Sequence, residues 1–139
     1  MVERRPPNPL AGVRFPHRPH MISNNLRKPF KKNLAYIPIE EAHGGSGKRQ
    51  LILSKGDSVS KELIAMTKGF LFVNDCFDWH SHEDVDEFFL VIKGSGAVEF
   101  EDGTKMEYKN EDLVYTPANT KHKITANGDS EFFFIRLNS

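Results

Sequence analysis

Residues 79–96 read WHSHEDVDEFFLVIKGSG, and this stretch decides how the rest of the chain is understood. One residue separates His80 from His82. In an extended strand successive side chains point to opposite faces, so both imidazoles leave on one side with Cα atoms roughly 6.6 Å apart. That spacing suits two nitrogens each bound about 2.1 Å from one ion. Four residues separate His82 from Glu87, which heads the apolar run Phe88-Phe89-Leu90-Val91-Ile92, and six separate Glu87 from Gly94.

Outward from this stretch the chain is a series of short β-prone segments. YIPIE, RQLILS, ELIAM, GFLFV, EFFLVIK, GAVEFE, KMEYK, DLVYT, KHKIT and EFFFIRLN recur from residue 34 onward. Their spacing of about 8–12 residues predicts an all-β sandwich or barrel rather than alternating strand and helix. Lys93-Gly94-Ser95-Gly96, Glu101-Asp102-Gly103-Thr104 and Asn127-Gly128 supply the hairpin turns. No segment keeps a 3.6-residue apolar period, so any helix should be short. Lys121-His122-Lys123-Ile124-Thr125-Ala126 alternates cleanly, which sends His122 inward beside Ile124. Phe88 to Ile92 and Phe132 to Ile135 do not alternate, so both of their faces need cover. The arm, another strand layer or a second subunit can provide it, and a homodimer is the expectation.

Composition sets the outer limits. The chain has 139 residues, which fits a single domain. Cys76 is its one cysteine, so no intrachain disulfide forms and a reducing, cytoplasmic location is expected. No apolar run approaches the roughly 18 residues of a membrane-spanning helix, and no apolar core of a secretory signal is visible. Equal numbers of basic and acidic residues, 19 each, hide an asymmetry. Residues 1–32 hold eight basic residues against one acid and six of the eight prolines, whereas residues 33–139 hold eleven against eighteen. The expected organisation is a basic, proline-rich arm over 1–32, flexible or vector-derived, and a β-barrel over 33–139. An acidic body argues against nucleic acid as its partner.

Several residues compete for a chemical role. The loop His43-Gly44-Gly45-Ser46-Gly47-Lys48-Arg49 resembles a phosphate-binding loop only loosely, because Ala42 replaces the first glycine and Arg49 the magnesium-binding hydroxyl. It reads as a connecting loop whose His43 can swing over the barrel mouth. Cys76 shares parity with His80 in an unbroken strand and reads as a small buried apolar residue; Trp79 has opposite parity and belongs outside. Tyr115 is the proton donor nearest the second half of the pattern, though equally a strand aromatic. Singly, each histidine reads as an ordinary core or surface residue, and Glu83 to Glu87 as a solvated turn. Their combined order is far more specific: His-x-His, four residues, Glu, six residues, Gly, then Pro117 and His122.

In that order residues 74–126 resemble the cupins, whose two motifs are G-x5-H-x-H-x3–4-E-x6-G and G-x5-P-x-G-x2-H-x3-N. His80, His82, Glu87 and Gly94 match the first, and Pro117 and His122 the second. Asn74, Glu111 and Asn119 stand where the motifs have glycine, and Asn127 falls one place late for the terminal asparagine. Asn tolerates a left-handed backbone, while at Glu111 the neighbouring Asn110 is expected to take the turn. The resemblance implies a double-stranded β-helix, a jelly-roll barrel, holding one divalent metal on His80, His82, Glu87 and His122. Such a donor set accepts Fe, Mn, Ni, Zn or Cu without choosing among them. With four protein ligands, an ion that prefers six keeps two positions for a small-molecule substrate. The function expected is a metal-dependent enzyme acting on a small polar organic molecule, an oxygenase ahead of an isomerase, lyase or decarboxylase. The alternative is a non-catalytic module binding a sugar or other small molecule.

Overall fold

The computed structural model describes residues 28–139 apart from 43 and 58, so the arm up to residue 27 and the loop histidine His43 lie outside the described residues. Ten strands run in chain order: β1 Glu40–Glu41, β2 Lys48–Ser54, β3 Leu63–Leu71, β4 Cys76–His80, β5 Val85–Lys93, β6 Gly96–Phe100, β7 Lys105–Tyr108, β8 Leu113–Thr116, β9 His122–Ala126 and β10 Ser130–Asn138. They form two antiparallel sheets, one of six strands in the order β1-β2-β3-β10-β5-β8 and one of four in the order β4-β9-β6-β7. This is the all-β jelly-roll barrel expected. Among the described residues no helix is long and apolar enough to cross a membrane.

Three of the expected strand segments turn out differently. YIPIE, residues 36–40, is not a strand: Tyr36 ends a 3-10 turn over Leu34–Tyr36, capped by Asn33 Oδ1 accepting from the Ala35 amide at 2.8 Å, and only Glu40 enters β1. Pro38 cannot donate to a ladder, so pairing begins only at Glu40. The buried Gln50 side chain donates to the Leu34 and Ile37 carbonyls instead, fastening this turn to the barrel. ELIAM and GFLFV, in contrast, are one strand, with Gly69 in its interior. A Cβ there would meet the Phe134 ring at 2.5 Å, so this glycine makes room for an aromatic ring and breaks nothing.

Burial alternates along the long strands. On β5, Glu87, Phe89 and Val91 point inward, while Phe88, Leu90 and Ile92 look outward. Phe77, Phe89, Phe132 and Phe134 meet Leu71, Val91, Val98 and Ile124 in one core cluster. The outer face of the large sheet keeps apolar residues in view, among them Leu90 (43% exposed), Tyr115 (46%) and Leu113 (66%).

The inner face is layered. Across the large sheet, Ala65, Arg136, Glu87 and Thr116 lie in one register row, and Thr67, Phe134, Phe89 and Val114 in the next. Across the small sheet, His80, His122 and Phe100 form a row beside Phe77, Ile124 and Val98. Polar side chains of the two sheets thus gather at one level of the barrel, above an aromatic and aliphatic core.

The motif positions that lack glycine still adopt the backbone that glycine favours. Asn74, Glu111 and Asn119 have φ of 69°, 74° and 62°. Asn110 does not take the turn from Glu111; its Oδ1 accepts from the Gly94 amide at 2.7 Å instead.

Candidate metal centre

His122 opens β9 and points inward because Ile124 and Ala126, at the same parity, fill the core. Glu87 sits on β5 directly opposite Arg136 of β10. The other two histidines arrive less simply than strand parity suggests. β4 ends at His80, and the β4–β9 register shifts between Phe77 and His80. Phe77 is buried, and the shift brings His80 rather than Trp79 to the inner side. Cys76 is consequently half-exposed and not a core residue, while Trp79 lies outside as expected.

His82 lies beyond the end of β4, in the turn before β5. It is held there by the loop of the second motif: the Asn119 amide donates to the His82 carbonyl at 2.9 Å, and Asn119 Oδ1 accepts from the Asp84 amide at 3.0 Å. The Ala118 amide donates to Asp86 Oδ1 at 2.9 Å. The turn at Asn119 therefore positions a candidate ligand of the first motif as well as leading into His122.

These elements bring all four expected ligands together. One nitrogen each from His80, His82 and His122 and one carboxylate oxygen of Glu87 lie within 4.8 Å of one another. His82 Nε2 is 3.5 Å from Glu87 Oε2, and His122 Nε2 is 3.8 Å from Oε1. The His80 and His122 ring centroids are 4.4 Å apart. His80 Nδ1 donates to the Asp78 carbonyl at 2.6 Å and His122 Nδ1 to the Thr120 carbonyl at 2.9 Å. A carbonyl only accepts, so each bond fixes the tautomer and leaves Nε2 as a lone-pair donor facing the centre.

The residues fit a divalent ion. Glu87 and His122 are each 1% exposed, and among the described residues Glu87 Oε1 and His122 Nε2 are buried without a hydrogen-bond partner. Leaving such atoms unmatched costs about 1–3 kcal/mol each, and a cation between them removes that cost. Burial would raise the Glu87 carboxyl, but the facing His122 and His82 rings and the Arg136 guanidinium outweigh it and hold the group well below the ordinary carboxylate range. Burial, aided by the neighbouring His122 and His82, lowers His80 to about 4, so all of its ring nitrogens stay uncharged at neutral pH. A carboxylate and neutral imidazoles are what borderline divalent ions prefer.

Arg136 is the residue the motif reading misses. Its Nε donates to Glu87 Oε2 at 2.7 Å, which ties one carboxylate oxygen and leaves Oε1 for an ion. The signal was present in EFFFIRLN, where inward parity runs Phe132, Phe134, Arg136 and puts a charge into the barrel. Tyr115, which the sequence offers as a proton donor or equally as a strand aromatic, is the latter: it lies on the outer face, stacked with Phe88 and donating to Asp86 Oδ1 at 2.9 Å.

Beside His80 a small pocket opens to solvent, lined by Arg49, Thr67, Phe77, Ile124, Phe134 and Arg136 among others. The arrangement can therefore hold an ion beside a pocket that opens to solvent.

Comparison with known proteins agrees with this geometry. Residues 74–137 match the Cupin domain family. YdbB of Bacillus subtilis (strain 168), an uncharacterized protein, is 36% identical over 47 residues, which is 34% of this chain and 42% of that protein. The chain thus aligns with less than half the length of that relative. A "predicted oxalate decarboxylase" from Thermotoga maritima superposes with a TM-score of 0.70 at 20% identity, over 79% of this chain and 100% of that one. Ectoine synthase from P. lautus gives 0.69 at 12% identity, over 79% and 78%. An RmlC-like cupin from Shewanella frigidimarina gives 0.65 at 18% identity, over 81% and 93%. At these identities the likeness is one of fold, and it coincides with the matched domain and with left-handed backbone at three motif positions: residues 74–137 form a cupin domain.

Proposed function

We propose that this protein is a metal-dependent enzyme acting on a small polar organic molecule. The observation that carries the reading is the position of His80, which belongs both to the four-residue donor cluster and to the wall of the neighbouring cavity. A donor cluster that served structure alone would be closed off from any ligand space. A bound divalent ion supplies Lewis-acid polarisation of a substrate oxygen, or redox chemistry if it is iron. The chain's own residues do the rest. Arg136 orients the Glu87 carboxylate, the Asp78 and Thr120 carbonyls lock the His80 and His122 rings, and Phe77, Ile124 and Phe134 give the cavity an apolar floor that excludes water.

Metal analysis of full-length protein purified without chelator tests the first part. The expected result is near one divalent ion per chain, lost in His122→Ala and in His80→Ala. A folded wild type that takes up none of Mn, Fe, Ni or Zn refutes the reading. Oxygen uptake by the iron-loaded protein against diols, keto acids and phenols is the first activity to assay. Tight binding of a compound that is recovered unchanged points to a binding module instead.

A further inference from the structure

The cavity beside His80 has a chemical bias of its own. Its charged lining residues are two arginines, Arg49 and Arg136, and the rest of the lining is Thr67, Gly69, His80 and apolar side chains. The two arginines reach it from different strands. Arg49 on β2 pairs with Gly69 on β3, and Arg136 on β10 pairs with Ala65 on β3, so both point to the barrel interior. Each is engaged at one nitrogen. Among the described residues, Arg136 donates through Nε to Glu87 and Arg49 through Nε to Glu40 at 3.1 Å, and neither guanidinium makes a further hydrogen bond. The Nη groups of both therefore retain their donors. The Arg49–Glu40 pair is half-exposed on both sides, and solvent-screened pairs of that kind contribute little. Arg49 can turn from Glu40 to a ligand at little cost.

We infer that this cavity takes a small organic carboxylate, gripped by the Nη groups of Arg49 and Arg136 while a second oxygen of the same molecule faces the His80 side of the donor cluster. A planar guanidinium matches a planar carboxylate with two parallel hydrogen bonds. The rings of Phe77 and Phe134 leave an apolar floor suited to a short carbon skeleton rather than to a bulky polar group. With an ion on the cluster, the site carries two cationic arginines and a dication against the carboxylates of Glu87 and Glu40, a surplus of positive charge that an anion neutralises. This inference rests on the metal reading above and names its substrate class.

Calorimetric titration of the zinc-loaded full chain with malonate, malonamide and inorganic phosphate tests it, with zinc content measured on the same samples. Malonate should bind, and its neutral, similarly sized diamide should bind at least roughly tenfold more weakly, the loss expected for charge-assisted hydrogen bonds. Arg49→Gln should weaken malonate by a similar factor, with zinc near one per chain and an unchanged melting temperature, and Arg49→Lys should restore only part. Malonamide binding as tightly as malonate, or an Arg49→Gln variant with unaltered malonate affinity, overturns the carboxylate assignment while the zinc content leaves the metal centre standing. Phosphate binding more tightly than malonate overturns it in favour of a phosphoryl ligand. Absence of zinc uptake removes the metal reading, and this inference with it.

Discussion

Replacing Arg136 by Met puts the electrostatics of the centre to a direct test, because the cost of the replacement should fall when the metal is bound. Glu87 is fully buried, and the Arg136 guanidinium at 2.7 Å is the cation that compensates it in the metal-free protein. Removing one partner of a buried pair costs about 3–5 kcal/mol. Arg136 is partly solvated, so the lower end, about 3 kcal/mol, is appropriate. At roughly 4 °C per kcal/mol for a chain of this size, chelated Arg136→Met should melt about 12 °C below chelated wild type. Zinc alters the balance in two opposing ways. Loss of the orienting hydrogen bond should weaken metal binding about 10–100-fold, or roughly 1.4–2.8 kcal/mol. Against this, a guanidinium and a dication would repel by about 6 kcal/mol at a separation of about 5–6 Å and an effective dielectric constant near 20. Repulsion is the larger effect even after some solvent screening. The deficit in melting temperature should therefore shrink by at least half when zinc is in excess. Scanning calorimetry of both proteins, with chelator and with saturating zinc, gives the four numbers needed. A deficit that is unchanged or larger with zinc would falsify the electrostatic account of Arg136.

Four further outcomes follow from individual residues. Glu111→Gly relieves a left-handed backbone at φ 74° and should stabilise the fold by about 0.5–1 kcal/mol, raising the melting temperature a few degrees with zinc content unchanged; a fall counts against strain there. Gly69→Ala drives a methyl group into the Phe134 ring and should cost about 1–3 kcal/mol in a urea midpoint, an effect that a neutral result would rule out. The folded-state value of His80, about 4, lies below its ordinary 6.5, so the unfolded chain binds a proton that the metal-free fold refuses. Its contribution is full above pH 6.5 and is lost as pH falls towards 4; the chelated wild type should lose melting temperature over that window more steeply than chelated His80→Gln, and parallel curves refute this. A second copy covering the outer face at Leu90, Leu113 and Tyr115 predicts about twice the 15.9 kDa chain mass in sedimentation equilibrium, reduced to the chain mass by Leu113→Lys; a wild-type monomer removes the dimer.

The alternating strand over Lys121 to Ala126 and the turn residues between strands made the all-β class and the inward pointing of His122 legible, since both depend on local period alone. The four donors were legible as a set because their spacing is unusual, yet the stated route for His82 was incomplete. It reaches the centre from a turn clamped by Asn119, and that contact joins residues far apart in the chain. The irregular register of β4 hid the fate of Cys76, because parity arguments assume an unbroken strand. Arg136 was in plain view at an inward position, but its meaning depends on which strand lies opposite it, and pairing is not a local property. Gly69 looked like a break because the sequence does not reveal which ring will sit over it.

The donors also do not come from one sheet. His80 and His122 belong to the four-strand layer and Glu87 to the six-strand layer, and among the described residues no backbone ladder joins the two. An ion seated among them is a rivet through both leaves of a clamshell whose closed end is the aromatic core. Stripping it with chelator should let the leaves breathe at that rim first. Amide hydrogens of Lys123 and Phe88 then exchange faster, while those of Val98 and Phe132 keep their protection, and loading the metal becomes a mechanical event for the whole barrel as well as a chemical one.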